Sequence, residues 1–130
     1  MSWNTWCCVA VLGLSLPMLA GCGALVAGAA AGAGAVAYVR GELKATEEGS
    51  LDEALNATEG AIADLGLTMT GREGDALSAK LTARTADDKK VEINLKKISE
   101  TLTEIRIRVD IFGDEDLSRI IHSKIKERLQ

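Results

Sequence analysis

Every charged side chain in this chain lies at or beyond Arg40: all 15 Lys and Arg and all 19 Asp and Glu follow an opening stretch that carries none. A chain divided in this way cannot be one evenly mixed globule. Its front is apolar and its back is highly charged, so only the back has the polar surface that a water-facing domain needs. At 130 residues in total, that back end is large enough for one domain and no more.

The uncharged front has an order of its own. Residues 9–20 form an apolar core with Pro17 near its end, and Leu19-Ala20-Gly21-Cys22 follows directly. That tetrapeptide reads as a lipobox: an apolar residue, two small residues that let the peptide enter a peptidase extended, then a thiol. The Cys22 thiol would take diacylglycerol, and the freed amine an N-acyl chain. No other cofactor is expected. Residues 1–8 lack the Lys or Arg that usually precedes such a core. On this reading 1–21 is a signal peptide, Cys7 and Cys8 leave with it, and thiol catalysis and thiolate metal sites drop out. The alternative is three ordinary apolar cysteines in a retained helix.

Residues 22–37 are rich in Gly and Ala, with Gly28 and Gly32 at small-xxx-small spacing. They read as a flexible tether, or alternatively as a glycine zipper that packs helices in lipid. Gly23 after the cysteine, in place of Asp, would direct a Gram-negative lipoprotein to the outer membrane. There it would sit in the inner leaflet and face the periplasm.

From residue 38 to 130 the pattern is that of an α+β domain. Val39, Gly41, Leu43 and Ala45 alternate with Arg40, Glu42, Lys44 and Thr46, as in a half-buried strand. Ser50 and Glu53 have capping-box spacing before a helix with Leu51, Ala54, Leu55, Thr58, Ile62 and Leu65 on one face, closed by Gly66. Leu67 and Met69 open another strand, and Gly71-Arg72-Glu73-Gly74 reads as a turn. Leu77–Ala79–Leu81–Ala83, Val91–Ile93–Leu95 and Ile105–Ile107–Val109 alternate with polar residues, and Asp87-Asp88 supplies a turn. Asp114 caps a last helix whose stripe is Leu117, Ile120, Ile121, Ile125 and Leu129. The expected order is β-α-β-β-β-β-α: an antiparallel sheet of about five strands, with two amphipathic helices packed on one face.

Chemistry is sparse in this pattern. His122 is the chain's single histidine and is expected to be partly exposed on the last helix. With no paired ligand or activated nucleophile in view, neither catalysis nor metal binding is expected of it. Asp110, Asp114, Glu115 and Asp116 lack the spacing of a calcium loop and read as helix capping. No enzyme activity and no metal site are expected. The net charge of −4 and the 3 % aromatic content argue against nucleic acid.

Charge on the open sheet face is a further expectation. Arg40, Lys44, Arg72, Lys80, Arg84, Lys90, Lys96, Arg106 and Arg108 would face Glu42, Glu92, Glu104 and Asp110 there. Lys80, Arg84, Lys96, Arg106 and Arg108 are the candidates for docking on an anionic glycolipid or an acidic envelope protein. The plainer account is a solvated sheet held by cross-strand ion pairs.

Cys22 with its Gly/Ala tract, Tyr38-Val39-Arg40-Gly41-Glu42-Leu43, Leu65-Gly66-Leu67, Ile105-Arg106-Ile107-Arg108-Val109 and Phe112-Gly113-Asp114-Glu115 resemble a family of small bacterial lipoproteins (domain of unknown function 3568). The resemblance covers nearly everything after the leader and brings no active site with it. The expected function is therefore a lipid-anchored, non-enzymatic binding or scaffolding module of the envelope, of open oligomeric state. The alternative is a carrier of a small apolar ligand between helices and sheet.

Overall fold

A computed structural model describes residues 34–130, and the order of elements within them is β-β-α-β-β-β-β-α. The strands are β1 (Val36–Val39), β2 (Glu42–Glu48), β3 (Thr68–Gly74), β4 (Ser78–Arg84), β5 (Lys90–Ser99) and β6 (Leu102–Val109). The helices are α1 (Leu51–Asp64) and α2 (Glu115–Leu129). One six-stranded sheet runs β1-β2-β6-β5-β4-β3, and every neighbouring pair is antiparallel. The leader, Leu19-Ala20-Gly21-Cys22 and most of the Gly/Ala tract, with Gly28 and Gly32, lie outside the described residues.

The class expected from sequence is the class observed, with one strand more. What reads as a single strand from Val39 to Thr46 is a hairpin. Arg40 (φ 54°) and Gly41 (φ 80°) form a two-residue turn with both residues left-handed, the turn geometry that matches the twist of paired strands. Val36 pairs with Ala45 and Val39 with Glu42, so the sheet takes in the last residues of the Gly/Ala tract. Arg-Gly is not the usual Asn-Gly signal, and the alternating pattern ran through the turn unbroken.

The helices begin where their caps predict. Ser50 and Glu53 form the reciprocal capping box, with Glu53 accepting from the Ser50 amide at 2.7 Å. At α2 the Asp114 carboxylate accepts from the Leu117 amide at 3.0 Å. Past α1, Gly66 (φ 69°) turns the chain so that the Leu67 amide reaches the Ile62 carbonyl at 3.0 Å. Gly71-Arg72-Glu73-Gly74 is not a turn but the second half of β3. A bulge between Met69 and Gly71 shifts the register there, and the reversal waits for Asp75, whose side chain accepts from the amides of Leu77 and Ser78.

Both helices cover the same sheet face. Leu43, Leu81, Val91, Ile93, Ile105, Ile107, Val109, Ile121 and Ile125 are all at 0 % exposure between the layers. Each large side chain so buried contributes about 1.5–3 kcal/mol relative to exposure. In α2 the buried stripe is rotated from the expected one. Ser118, Ile121, His122 and Ile125 face the sheet, whereas Ile120 is 53 % exposed. Leu77, expected to face inward, is 67 % exposed because β4 begins only at Ser78.

Candidate functional site

The face of the sheet away from the helices is built by the polar half of each alternation. Register places Lys44, Arg106, Asn94, Lys80 and Glu73 in one row across β2, β6, β5, β4 and β3. Glu42, Arg108, Glu92 and Thr82 form the row on one side of it, and Thr46, Glu104, Lys96 and Ser78 the row on the other. A basic row is therefore flanked by rows that each carry acids. A hollow of about 800 Å3 opens on this face, lined among others by Lys80, Asn94, Lys96 and Arg106.

The acids stand diagonal to the bases, directly across from them or two residues along the same strand, and neutralise most of them. Glu104 lies 3.2 Å from Lys44 Nζ and 2.6 Å from Arg106 Nε. Glu92 lies 3.2 Å from Lys80 and 2.9 Å from Lys90, and Glu42 is 3.9 Å from Arg108. Hydrogen bonds from Lys90 and then Lys80 hold the Glu92 carboxyl below the usual glutamate range. Partial burial opposes ionisation of Glu104, but Arg106 and Lys44 outweigh it and hold that carboxyl low as well. Partly exposed pairs of this kind contribute a few tenths to about 1 kcal/mol each.

Of the five docking candidates, Lys80, Lys96 and Arg106 surround the hollow, and Arg108 stands in the adjacent row. Arg84 does not join them. It sits at the far end of β4 and pairs with Asp88 in the following turn at 3.0 Å. Lys96 alone of the five makes no ion pair among the described residues.

Other residues expected on this face lie elsewhere. The bulge in β3 sets Arg72 opposite Leu81, on the helix side, where its Nε lies 2.8 Å from Glu59 Oε1, close enough for an ion pair though not aligned as a hydrogen bond. Arg40 is in the β1–β2 turn, and Asp110 (φ 59°) is in the loop after β6. Glu48 and Glu73 add acids to the open face, so its basic excess is small.

The helix side holds a pair that the sequence reading missed. Glu47 continues the inward alternation of Leu43 and Ala45, and at 6 % exposure its carboxylate meets His122, itself 7 % exposed. Oε1 and Nε2 are 2.7 Å apart. His122 is thus buried, not partly exposed; it is one turn beyond Ser118 and three residues before Ile125, on the face that α2 presents to the sheet. A carboxylate–imidazole pair resembles two parts of a hydrolytic triad. The hydroxyl one turn away, Ser118 Oγ, is fully buried and donates to the Asp114 carbonyl at 2.6 Å, so it is not presented as a nucleophile. Among the described residues, no three His, Asp or Glu side chains converge as a metal-binding group.

A sequence profile described as "Protein of unknown function (DUF3568)" matches residues 6–128. No curated protein matches the chain.

Proposed function

The chain belongs to the DUF3568 family of proteins of unknown function, and on that premise we propose that it is a lipid-anchored envelope protein whose domain binds a partner without catalysing a reaction. The observation that carries the reading is Leu19-Ala20-Gly21-Cys22 at the end of an uncharged apolar stretch. Acyl chains on Cys22 hold the protein in the membrane, since each buried methylene contributes about 0.8 kcal/mol. Gly23 favours the outer membrane, with the domain in the periplasm.

Binding is assigned to the open sheet face, around the hollow between Lys80, Lys96 and Arg106. A phosphate- or carboxylate-bearing group of an envelope glycolipid or acidic protein would compete there with Glu92 and Glu104. Carriage of an apolar ligand would need the space that Leu81, Ile93, Ile107, Ile121 and Ile125 occupy at 0 % exposure.

Radioactive palmitate labelling of the parent chain and of Cys22→Ala tests the anchor. The parent is expected to carry label and the variant none; an unlabelled parent overturns the reading. Lys96→Glu, which breaks no ion pair among the described residues, and the charge reversal of Arg106 together with Arg108 test the face. Unchanged capture of envelope components by these variants removes the docking assignment.

A further inference from the structure

Phe112 is the chain's single phenylalanine, in a chain whose aromatic content is 3 %, and it stands 90 % exposed beside Ile111 at 81 %. The core of this domain is built from aliphatic side chains, while the one phenylalanine projects from the loop between β6 and α2. That position is held by the backbone. Asp110 (φ 59°) and Gly113 (φ 80°) bracket the two apolar residues, and the Asp110 carboxylate accepts from the Ile111 amide at 2.9 Å. Gly113 lies so close to the β1–β2 turn that a Cβ there would come within 2.4 Å of the Gly41 Cα and 2.5 Å of the Tyr38 hydroxyl. Left-handed non-glycine residues cost energy and persist where surrounding structure holds them. Two loops are thus locked together.

We propose that Ile111 and Phe112 form a wedge that enters the interfacial layer of the phospholipid bilayer to which the protein is tethered. The proposal rests on the reading of Cys22 as a lipid anchor. The chain geometry allows it. The twelve residues 22–33 reach at most about 40 Å when extended. The domain is joined to them at Gly34, whose amide donates to the Thr46 carbonyl at 2.6 Å. From Gly34 the edge strand β1 runs to the wedge, a distance of about 15 Å at roughly 3.3 Å per residue. That edge, Val36-Ala37-Tyr38-Val39, carries no charge, so β1 can lie along the surface from tether to wedge.

The size of the tip favours lipid over protein. A stable protein interface buries about 800 Å2 on each partner, whereas two side chains of this kind offer about half that area or less. A bilayer needs no matching pocket, and even a small apolar insertion fixes orientation. Charges around the tip nearly balance: Lys89 lies 3.4 Å from Asp114 and Arg119 2.7 Å from Glu115, and the exposed Arg40 and Asp110 of the two loops are opposite in sign. The contact should therefore be insensitive to salt, unlike docking by the basic face.

Biosynthetic incorporation of 4-fluorophenylalanine labels Phe112 alone, because the chain has one phenylalanine. The full-length protein, reconstituted in phosphatidylcholine vesicles, is examined by fluorine NMR with a water-soluble paramagnetic chelate and with spin-labelled lipid. The lipid probe is expected to broaden the resonance, and the chelate to act about tenfold more weakly than on free amino acid, for an insertion of about 5 Å. Ile111→Ser in the same labelled chain should restore access to the chelate. A resonance fully open to the chelate in vesicles overturns the wedge, even where palmitate labelling upholds the anchor. Shielding that needs added envelope proteins also overturns it, in favour of a protein partner. Shielding without palmitate label upholds the wedge and removes the anchor.

Discussion

The Glu47–His122 pair is predicted to be the most strongly coupled polar contact in the domain. Its side chains are 8 % and 9 % exposed, and Oε1 and Nε2 are 2.7 Å apart. Removing one partner leaves the other buried without its hydrogen bond, and where a carboxylate is stranded the loss is about 3–5 kcal/mol. His122→Leu, which strands the Glu47 carboxylate, should show this loss. Glu47→Gln keeps the shape and one hydrogen bond to the imidazole, so about 1 kcal/mol is expected. The double replacement Glu47→Leu with His122→Leu removes both polar groups together. It should return to within about 2 kcal/mol of the parent, or exceed it. Against a total stability of about 5–15 kcal/mol, these differences are large. Urea unfolding of the detergent-solubilised chain, followed by circular dichroism, reads them directly. At about 1–3 kcal/mol per molar urea, His122→Leu should lower the midpoint by roughly 2 M. Single leucine replacements of Glu47 and of His122 that each cost under about 1 kcal/mol and simply add in the double variant would refute the coupling.

Two further outcomes follow from local geometry and charge. Gly113→Ala must adopt a left-handed conformation and push against the Gly41 backbone; a loss of about 2–4 kcal/mol is expected, and a thermal midpoint equal to the parent's would show that the two loops are not locked. Glu92, Glu104 and Asp114 all have carboxyl groups held below their ordinary values of 4.5, 4.5 and 3.8, so the folded form binds protons less readily than the unfolded one. The stability they contribute is present above those values and is lost as pH falls through the lower folded ones; Glu104→Gln should flatten that acid limb, and an unchanged urea-midpoint profile below about pH 4.5 would count against the cross-strand pairs.

Much of this architecture was legible in the chain because it is written in local periodicity. Leu81–Ala83, Val91–Leu95 and Ile105–Val109 alternate with period two, and a buried face requires their register. Ser50, Glu53, Gly66 and Asp114 mark helix ends through hydrogen bonds that reach only three to five residues. Such signals survive without any knowledge of what packs against them. The proposed lipobox ending at Cys22 is likewise a purely linear pattern, legible without any knowledge of packing.

What the sequence left undetermined depended on contacts between distant residues. The β1–β2 turn at Arg40-Gly41 is closed by pairing of Val39 with Glu42 and seated against Gly113, so its neighbours in space, not its residue types, identify it. The bulge in β3 moved Arg72 to the other face because one extra residue reverses every side chain after it. α2 has apolar residues at both Ile120 and Ile121, and rotation by part of a turn decides which is buried; the face turned to the sheet is the one with Ile121, Ile125 and His122, and there His122 meets Glu47. Phe112 shows the same division from the opposite side. Composition alone would bury the only phenylalanine, but two left-handed residues and a close glycine contact hold it in solvent. Local pattern determined which residues form strands and helices, and three-dimensional packing decided which side chains each face presents, because burial is a property of neighbours and not of residue type.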